Sequence, residues 1–254
     1  MLLAVDVGNT HTVLGLYDGD VLVRHFRVES AKGRTADELE ILLMGLAQLA
    51  GISHAHVNAA ILASVVPDLN TVFAHAIHRA YGSESLLVGP GIKTGMPILY
   101  ENPWEVGADR IVNAVAAYEQ TRKGTIVVDF GTATTFDCIS PRGEYLGGVI
   151  SPGVSISAQA LSASAAKLPR VEVAMPPRVV GRNTVHSMQS GIVYGYVELV
   201  DGMVRRIRQE LGFPSVVLAT GGLASVLERE LRSIDRVDPF LTLEGLRILH
   251  ARNA

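Results

Sequence analysis

Two stretches of the chain carry the same pattern of apolar and polar positions, and each predicts the opening of a sheet. Leu2 to Val7 is a short, nearly continuous apolar run, and Thr12 to Leu16 is another. Gly8, Asn9 and Thr10 separate them, which predicts a two-stranded hairpin. Asp18-Gly19-Asp20 marks a second turn and leads to a third strand, Val21 to Val28. The period then changes from 2 to 3.6. Leu39, Leu42, Leu43, Leu46 and Leu49 fall on one helical face, opened by Thr35 and Glu38 at capping-box spacing and closed by Gly51. Ala59 to Val65 reads as a buried strand, Asp68 to Tyr81 as a helix, and Ala108 to Tyr118 as a helix that stops before Gly124.

The pattern then restarts. Thr125 to Asp129 predicts a strand, Phe130-Gly131-Thr132-Ala133 a turn, and further strand runs to the turn Pro141-Arg142-Gly143. At an offset of 123 residues, Val5-Asp6-Val7-Gly8 matches Val128-Asp129-Phe130-Gly131, and Thr12 matches Thr135. Ser155 to Leu168 and Val185 to Leu211 predict helices, and Val216 to Ala219 a strand that ends in Thr220-Gly221-Gly222 before another helix. Strands alternating with helices give the α/β class. The repeated order predicts two duplicated lobes, residues 1–117 and 118–254.

Composition narrows the setting. Of 254 residues, 48% are apolar and 19% charged, and the formal net charge is −3. That balance suits a globular chain and disfavours nucleic-acid or membrane-surface partners. A single cysteine, Cys138, allows no internal disulfide. The opening residues lack a basic n-region and no apolar stretch approaches the roughly 18 residues of a membrane span, so the expectation is a cytoplasmic protein without a signal peptide.

The chemistry sits at the turns. Successive backbone N–H groups at Gly8, Asn9 and Thr10 form an anion-binding nest, to which the Thr10 hydroxyl adds a donor. No Lys or Arg precedes Arg24, so a polyphosphate bound here needs cations to offset its charge. Asp6 and Asp129, ending the two core strands, are candidate Mg²⁺ carboxylates between the lobes. Asp109 reads either as a helix cap or as a general base, with Arg110 beside it for an anionic group. Gly221 and Gly222 allow a flat base to approach the backbone. Ser151-Pro152-Gly153 reads either as a phosphate loop or as a tight strand-to-helix turn. Gly191 and Gly195 permit a close helix approach, within the chain or between subunits. His54/His56 and His75/His78 lack the partners of a zinc site.

Asp6-Val7-Gly8-Asn9-Thr10, Gly107-Ala108-Asp109-Arg110-Ile111-Val112-Asn113-Ala114 and Val128-Asp129-Phe130-Gly131-Thr132-Ala133-Thr134-Thr135 together resemble segments of the type III pantothenate kinases. Ala166-Lys167-Leu168-Pro169, Asn183-Thr184, Ser187 to Gly191, Ala219 to Ala224 and Leu241 to Leu246 extend the resemblance along the chain. It implies two ribonuclease H-like lobes of the actin/hexokinase-like fold, with ATP in the interlobe cleft and pantothenate as phosphoryl acceptor. It also implies Mg²⁺, a monovalent cation (K⁺ or NH₄⁺) and a homodimer. Carried over by motif, Asp6, Val7, Gly8, Asn9, Thr10, His11, Thr12 and Val13 would bind the ATP phosphates, and Asp109 would be the base. Thr132, with Gly221 and Gly222, would bind the nucleotide. Asp129 would hold the monovalent cation, a role different from the Mg²⁺ one above. Tyr100, Gly107, Ala108, Asp109, Arg110 and Thr184 would contact pantothenate. His11 stands where Asn is expected in the family and places a titratable ring beside the phosphates.

Two other readings compete: a superfamily kinase acting on another small hydroxyl or acid, and a nucleotide-binding regulatory relative without activity. The first lacks a reason for Gly-Ala-Asp-Arg with Asn-Thr downstream. The second predicts loss of the base, and Asp109 is present.

Overall fold

Leu2–Val7 (β1) is apolar at nearly every position because it lies in the middle of a sheet, where both faces are covered. In the computed structural model, which describes residues 1–254, β1 pairs antiparallel with His11–Asp18 (β2), and β2 with Val21–Glu29 (β3). On its other side β1 runs parallel to Ala59–Ser64 (β4), and β4 to Ser85–Leu87 (β5). Ala36–Leu49 (α1) and Pro67–Tyr81 (α2) pack on each other. Their Leu39, Leu43, Phe73 and Ile77 join Leu3, Val5, Leu14 and Leu62 in one core. Burying each such side chain is worth roughly 1.5–3 kcal/mol.

The capping box read from Thr35 and Glu38 is present. Glu38 N donates to Thr35 Oγ1 at 3.3 Å, and Thr35 N donates to Glu38 Oε2 at 2.8 Å. Thr35→Ala removes one of these bonds at an exposed site and is expected to cost about 1 kcal/mol. The thermal midpoint, compared with that of the parent chain, checks this.

Tyr81, the last residue of α2, donates its hydroxyl to Leu43 O at 2.8 Å. Burial pushes its phenol from 10.0 up to about 12. Its contribution to stability is therefore fully present below about 10 and lost as pH rises through about 12. Tyr81→Phe is expected to flatten that alkaline decline, read as thermal midpoint against pH.

Ala108–Thr121 (α3) follows β5 after a long connection. Thr125–Phe130 (β6), Ala133–Ile139 (β7) and Tyr145–Pro152 (β8) then repeat the antiparallel meander. Val154–Ser164 (α4) and the long Thr184–Leu211 (α5) precede Val216–Thr220 (β9), parallel to β6. Ala224–Leu227 (α6) leads to Arg236–Val237 (β10), parallel to β9, and Leu241–Asn253 (α7) closes the chain. The two sheets have orders β3-β2-β1-β4-β5 and β8-β7-β6-β9-β10. Each is therefore an antiparallel meander followed by two parallel additions, as the duplicated α/β reading expects. In the second sheet, Ile126, Val128, Phe130 and Phe136 pack with Val154, Ala158, Val193 and Val197 of α4 and α5.

The compact units are Met1–Ala116 with Phe240–Ala254, and Ala117–Pro239. Division at residue 117 alone would have put α7 in the second unit. Instead α7 packs on β1, β2 and β4, because Leu241, Leu243, Leu246 and Leu249 form a buried stripe that fits that sheet's open face. Helix α4 stops at Ser164 and does not reach Leu168. Ala165 is already extended, and the residue before Pro169 is biased away from helix.

The register also corrects the repeat. Val7 pairs with Thr12, whereas Phe130 pairs with Thr134, so Thr12 corresponds to Thr134 and not to Thr135. The second hairpin is one residue shorter.

Candidate functional site

The first hairpin is closed by Gly8 N donating to His11 O at 3.1 Å, and Ser30 N donates to Thr10 O at 3.0 Å. Asn9, Thr10 and His11 are exposed at its tip. A Cβ on Gly8 would stand 2.9 Å from His11 O, so the turn closes this tightly only with glycine there. Below the tip, Thr12 is buried and its hydroxyl meets that of Ser30 at 2.8 Å. That bond ties the hairpin to the end of β3. The segment Asp6 to Val13 thus has a fixed base and an exposed tip with backbone N–H groups, the form an anion-binding turn requires.

In the same unit, Asp109 lies in the first turn of α3. Gly107 O accepts from Arg110 N at 3.1 Å and from Ile111 N at 3.2 Å, so Gly107 is the capping position and Asp109 is not. Asp109 Oδ1 instead accepts from Arg110 N at 2.8 Å, and Oδ2 takes no part in that bond. A Cβ on Gly107 would come within 2.5 Å of Asp109 Oδ1, so glycine here makes room for the carboxylate. Burial pushes the Asp109 carboxyl up, against the weaker opposing pull of the Arg110 N–H and guanidinium. A carboxylate whose proton affinity is raised is a better base than an ordinary aspartate. Arg110 is buried, Ala108 is half-buried, and Tyr100 lies in the connection leading to α3.

In the second unit, three glycines gather around Asp129 and its hairpin. Gly131 N donates to Ala133 O at 3.1 Å, and Gly153 N donates to Thr132 O at 3.1 Å. A Cβ on Gly153 would collide with the carbonyls of Thr132 and Gly131. Gly221, at φ +93°, would place a Cβ 2.5 Å from Asp129 Oδ1 and 2.7 Å from the Phe130 backbone. Gly221 is thus held against Asp129, with Gly222 exposed just beyond, while Thr132, in the same hairpin as Asp129, sits on Gly153. The Pro152-Gly153 turn is a close support beneath Thr132. The sequence offered only its position between a strand and a helix as a hint.

Thr184 is the first residue of α5 and is exposed. Asn183 caps the helix, its Oδ1 accepting from His186 N at 2.8 Å. Thr184 borders a cavity of about 800 Å³ together with Ser157, Arg182, Asn183, Ser187 and Tyr196. Farther along α5, a Cβ added at Gly191 or Gly195 would meet no other group within 4 Å, so neither glycine serves a close crossing within the chain. No group of three or more His, Cys, Asp or Glu side chains is arranged to hold a metal. His78 faces Glu84 at 3.0 Å, and Cys138 is a buried strand residue. No helix is long and apolar enough to cross a membrane.

A family model described as type III pantothenate kinase matches residues 2–206. A type III pantothenate kinase of Myxococcus xanthus (strain DK1622) is 58% identical over 253 residues, spanning 100% of this chain and 99% of that protein. One from Anaeromyxobacter sp. (strain K) is 61% identical over 253 residues, spanning 100% of both. Among solved structures, a protein described as a conserved Baf family transcriptional activator from Campylobacter jejuni aligns with TM-score 0.61 at 17% identity, covering 99% of this chain and 98% of that one. The ROK hexokinase from Thermus thermophilus aligns with TM-score 0.53 at 14% identity, covering 98% and 97%. At such identities these two structures speak for a shared actin/hexokinase-like fold alone.

Proposed function

The chain belongs to the type III pantothenate kinase family, and from that premise we propose that it transfers the γ-phosphoryl group of ATP to pantothenate. The products are ADP and 4′-phosphopantothenate, the first step of coenzyme A biosynthesis. The observation that carries the mechanism is Asp109, half-buried at the start of α3 with its proton affinity raised by burial.

The primary hydroxyl of pantothenate gives its proton to Asp109 as its oxygen attacks the γ-phosphorus. The new O–P bond forms as the bond from that phosphorus to the β–γ bridging oxygen breaks, and ADP leaves with that oxygen. Little covalent work falls to the protein in such a transfer, so positioning and charge dominate. Asp6 to Val13 hold the phosphates through backbone N–H groups, and Thr132 with the Gly221-Gly222 turn contacts the nucleotide. Tyr100, Gly107 to Arg110 and Thr184 take pantothenate, Arg110 facing its carboxylate.

The absence of Lys and Arg before Arg24 leaves the phosphate charge to cations. Mg²⁺ and a monovalent ion (K⁺ or NH₄⁺) supply that neutralisation when bound. The residues fit sparse ligation of this kind. Asp6 and Asp129 are single carboxylates near the ends of the two central strands. We assign the monovalent ion to Asp129.

The open face of α5 at Gly191 and Gly195 suits a second copy of the chain, and a homodimer is expected at twice the 27.1 kDa chain mass. The cytoplasm, where ATP and K⁺ are both abundant, is the setting this chemistry requires.

Purified protein, ATP, Mg²⁺ and pantothenate, with ADP formation followed in K⁺ or in Na⁺, test the reading. Pantothenate-dependent ADP formation in K⁺ is expected. Its absence overturns the proposal.

A further inference from the structure

The aspartates that open the two hairpins have different neighbours. Across the first sheet, Asp6 faces Val13 on one side and Ala63 on the other. Across the second, Asp129 faces Thr135 and Thr220. Residues directly opposite in a ladder point to the same face, with Cβ atoms about 4.5–5.5 Å apart. Asp129 therefore has hydroxyl-bearing flanks where its counterpart has apolar ones.

Thr135 is further specified from behind. Its Oγ1 donates to Asp137 Oδ2 at 3.3 Å, two residues along β7 and so on the same face. The other oxygen of Asp137 accepts from the Tyr145 hydroxyl at 2.7 Å. Asp137 and Tyr145 are both 0% exposed. A carboxylate in a core strand is costly unless its oxygens are matched by donors, and both are matched here. At the corresponding position of the first sheet the chain has Gly15, so the fold itself does not demand an acid.

The consequence is directional. A threonine hydroxyl carries one proton and accepts through its lone pairs. With that proton held by Asp137, Thr135 can present only lone pairs toward a group lying beside Asp129. A carboxylate and an oriented hydroxyl oxygen suit a cation and repel a phosphate oxygen.

We propose that Thr135 Oγ1 is a second protein ligand for the monovalent cation at Asp129, and that Asp137 and Tyr145 are positioning residues that fix the orientation of its hydroxyl. This rests on the assignment of the monovalent ion to Asp129. It gives the second aspartate a reason to take that ion: Thr135, directly opposite it, carries an oxygen whose hydrogen is turned toward Asp137.

The test uses the full chain and titrates KCl against NaCl at constant ionic strength, with two readouts. One is the thermal midpoint with ATP and Mg²⁺ but no pantothenate. The other is the half-saturating K⁺ concentration in turnover. Thr135→Val removes the hydroxyl at nearly constant volume and is expected to raise the K⁺ requirement in both readouts by roughly ten- to hundredfold. The effect should fall on K⁺ half-saturation more than on kcat, and Thr135→Ser should restore most of it. Tyr145→Phe, which leaves Thr135 in place, should move both readouts in the same direction by a smaller factor.

Asp129→Asn separates the premise from the proposal. If it abolishes the K⁺ response while Thr135→Val keeps the parent K⁺ dependence, the Thr135 proposal fails and the Asp129 assignment stands. If Asp129→Asn keeps the parent K⁺ dependence, the assignment fails and the proposal with it. A loss of kcat in Thr135→Val at unchanged K⁺ half-saturation also overturns the proposal, because it marks a role in structure alone.

Discussion

Replacing Asp109 by Asn is expected to lower kcat by about 10²-fold or more while nucleotide binding persists. The substitution keeps shape and keeps an Oδ1 that can accept from Arg110 N, now at 2.8 Å. It removes only the ability to take a proton. The loss should therefore appear in kcat and kcat/KM together, with the affinity for ATP measured by direct titration close to that of the parent. Near-normal turnover in the Asn variant would remove Asp109 from the role of base.

The same variant should be more stable than the parent at neutral pH. The folded-state pKa of Asp109 is raised, so the unfolded chain ionises this group more readily than the folded one. Its contribution to stability is present below the ordinary aspartate range and lost as pH rises through the folded-state value. At neutral pH the ionised carboxylate is held at a cost that Asn does not incur. Thermal midpoints of the two proteins should converge in acid and separate as pH rises. An active-site group that weakens the fold at its working pH is the expected price of a poised base.

Gly221→Ala is expected to destabilise the second unit markedly. Two penalties coincide there. At φ +93° a side chain is strained, at roughly 1–3 kcal/mol. The added Cβ also meets Phe130 N and C at 2.7 Å, and Phe130 belongs to the central strand β6, which is held on both sides. Overpacking of this kind costs roughly 1–3 kcal/mol more. The remaining contact, with Asp129 Oδ1 at 2.5 Å, can be relieved by rotating the carboxylate, but only by moving a proposed ligand. A fall of several degrees in thermal midpoint should accompany a weakened K⁺ response in protein that is still folded. Gly212→Ala provides the control. Gly212, the left-handed residue after α5 at φ +68°, has nothing within 4 Å of its Cβ position, so it carries the conformational penalty without the collision. Equal losses at both positions would show that packing at Gly221 contributes nothing.

Much of the fold could be read from local rules. The apolar runs of β1 and β6, the capping box of α1 and the restart of the pattern near Thr125 all follow from periods and turn residues. Other parts could not. Strands β5 and β10 are three and two residues long and exist because a neighbouring strand offers them partners. The one-residue difference between the hairpins was hidden because Thr134 and Thr135 are adjacent, and either satisfies a Thr-for-Thr match with Thr12. Only register tells them apart. In the site, the position of Asp109 was legible from the start of α3, but its raised proton affinity was not, because burial sums contributions from residues distant in sequence. The supports at Gly107, Gly153 and Gly221 likewise become visible only when a methyl group is placed there and finds no room.

The closing helix α7 has one more consequence, for how the protein is made. It covers the sheet built from the first strands of the chain, with the whole of residues 117–239 threaded between. A nascent chain that has released residues 1–116 still lacks Leu241, Leu243, Leu246 and Leu249, and part of its first sheet stays wet. At translation rates of about 5–20 residues per second, the remaining residues take roughly 7–28 s to appear. The second unit is continuous, so it can close as soon as it emerges, before the first is complete. Order of synthesis and order of completion are thus reversed, and the half-covered first sheet is the species for a chaperone to shield.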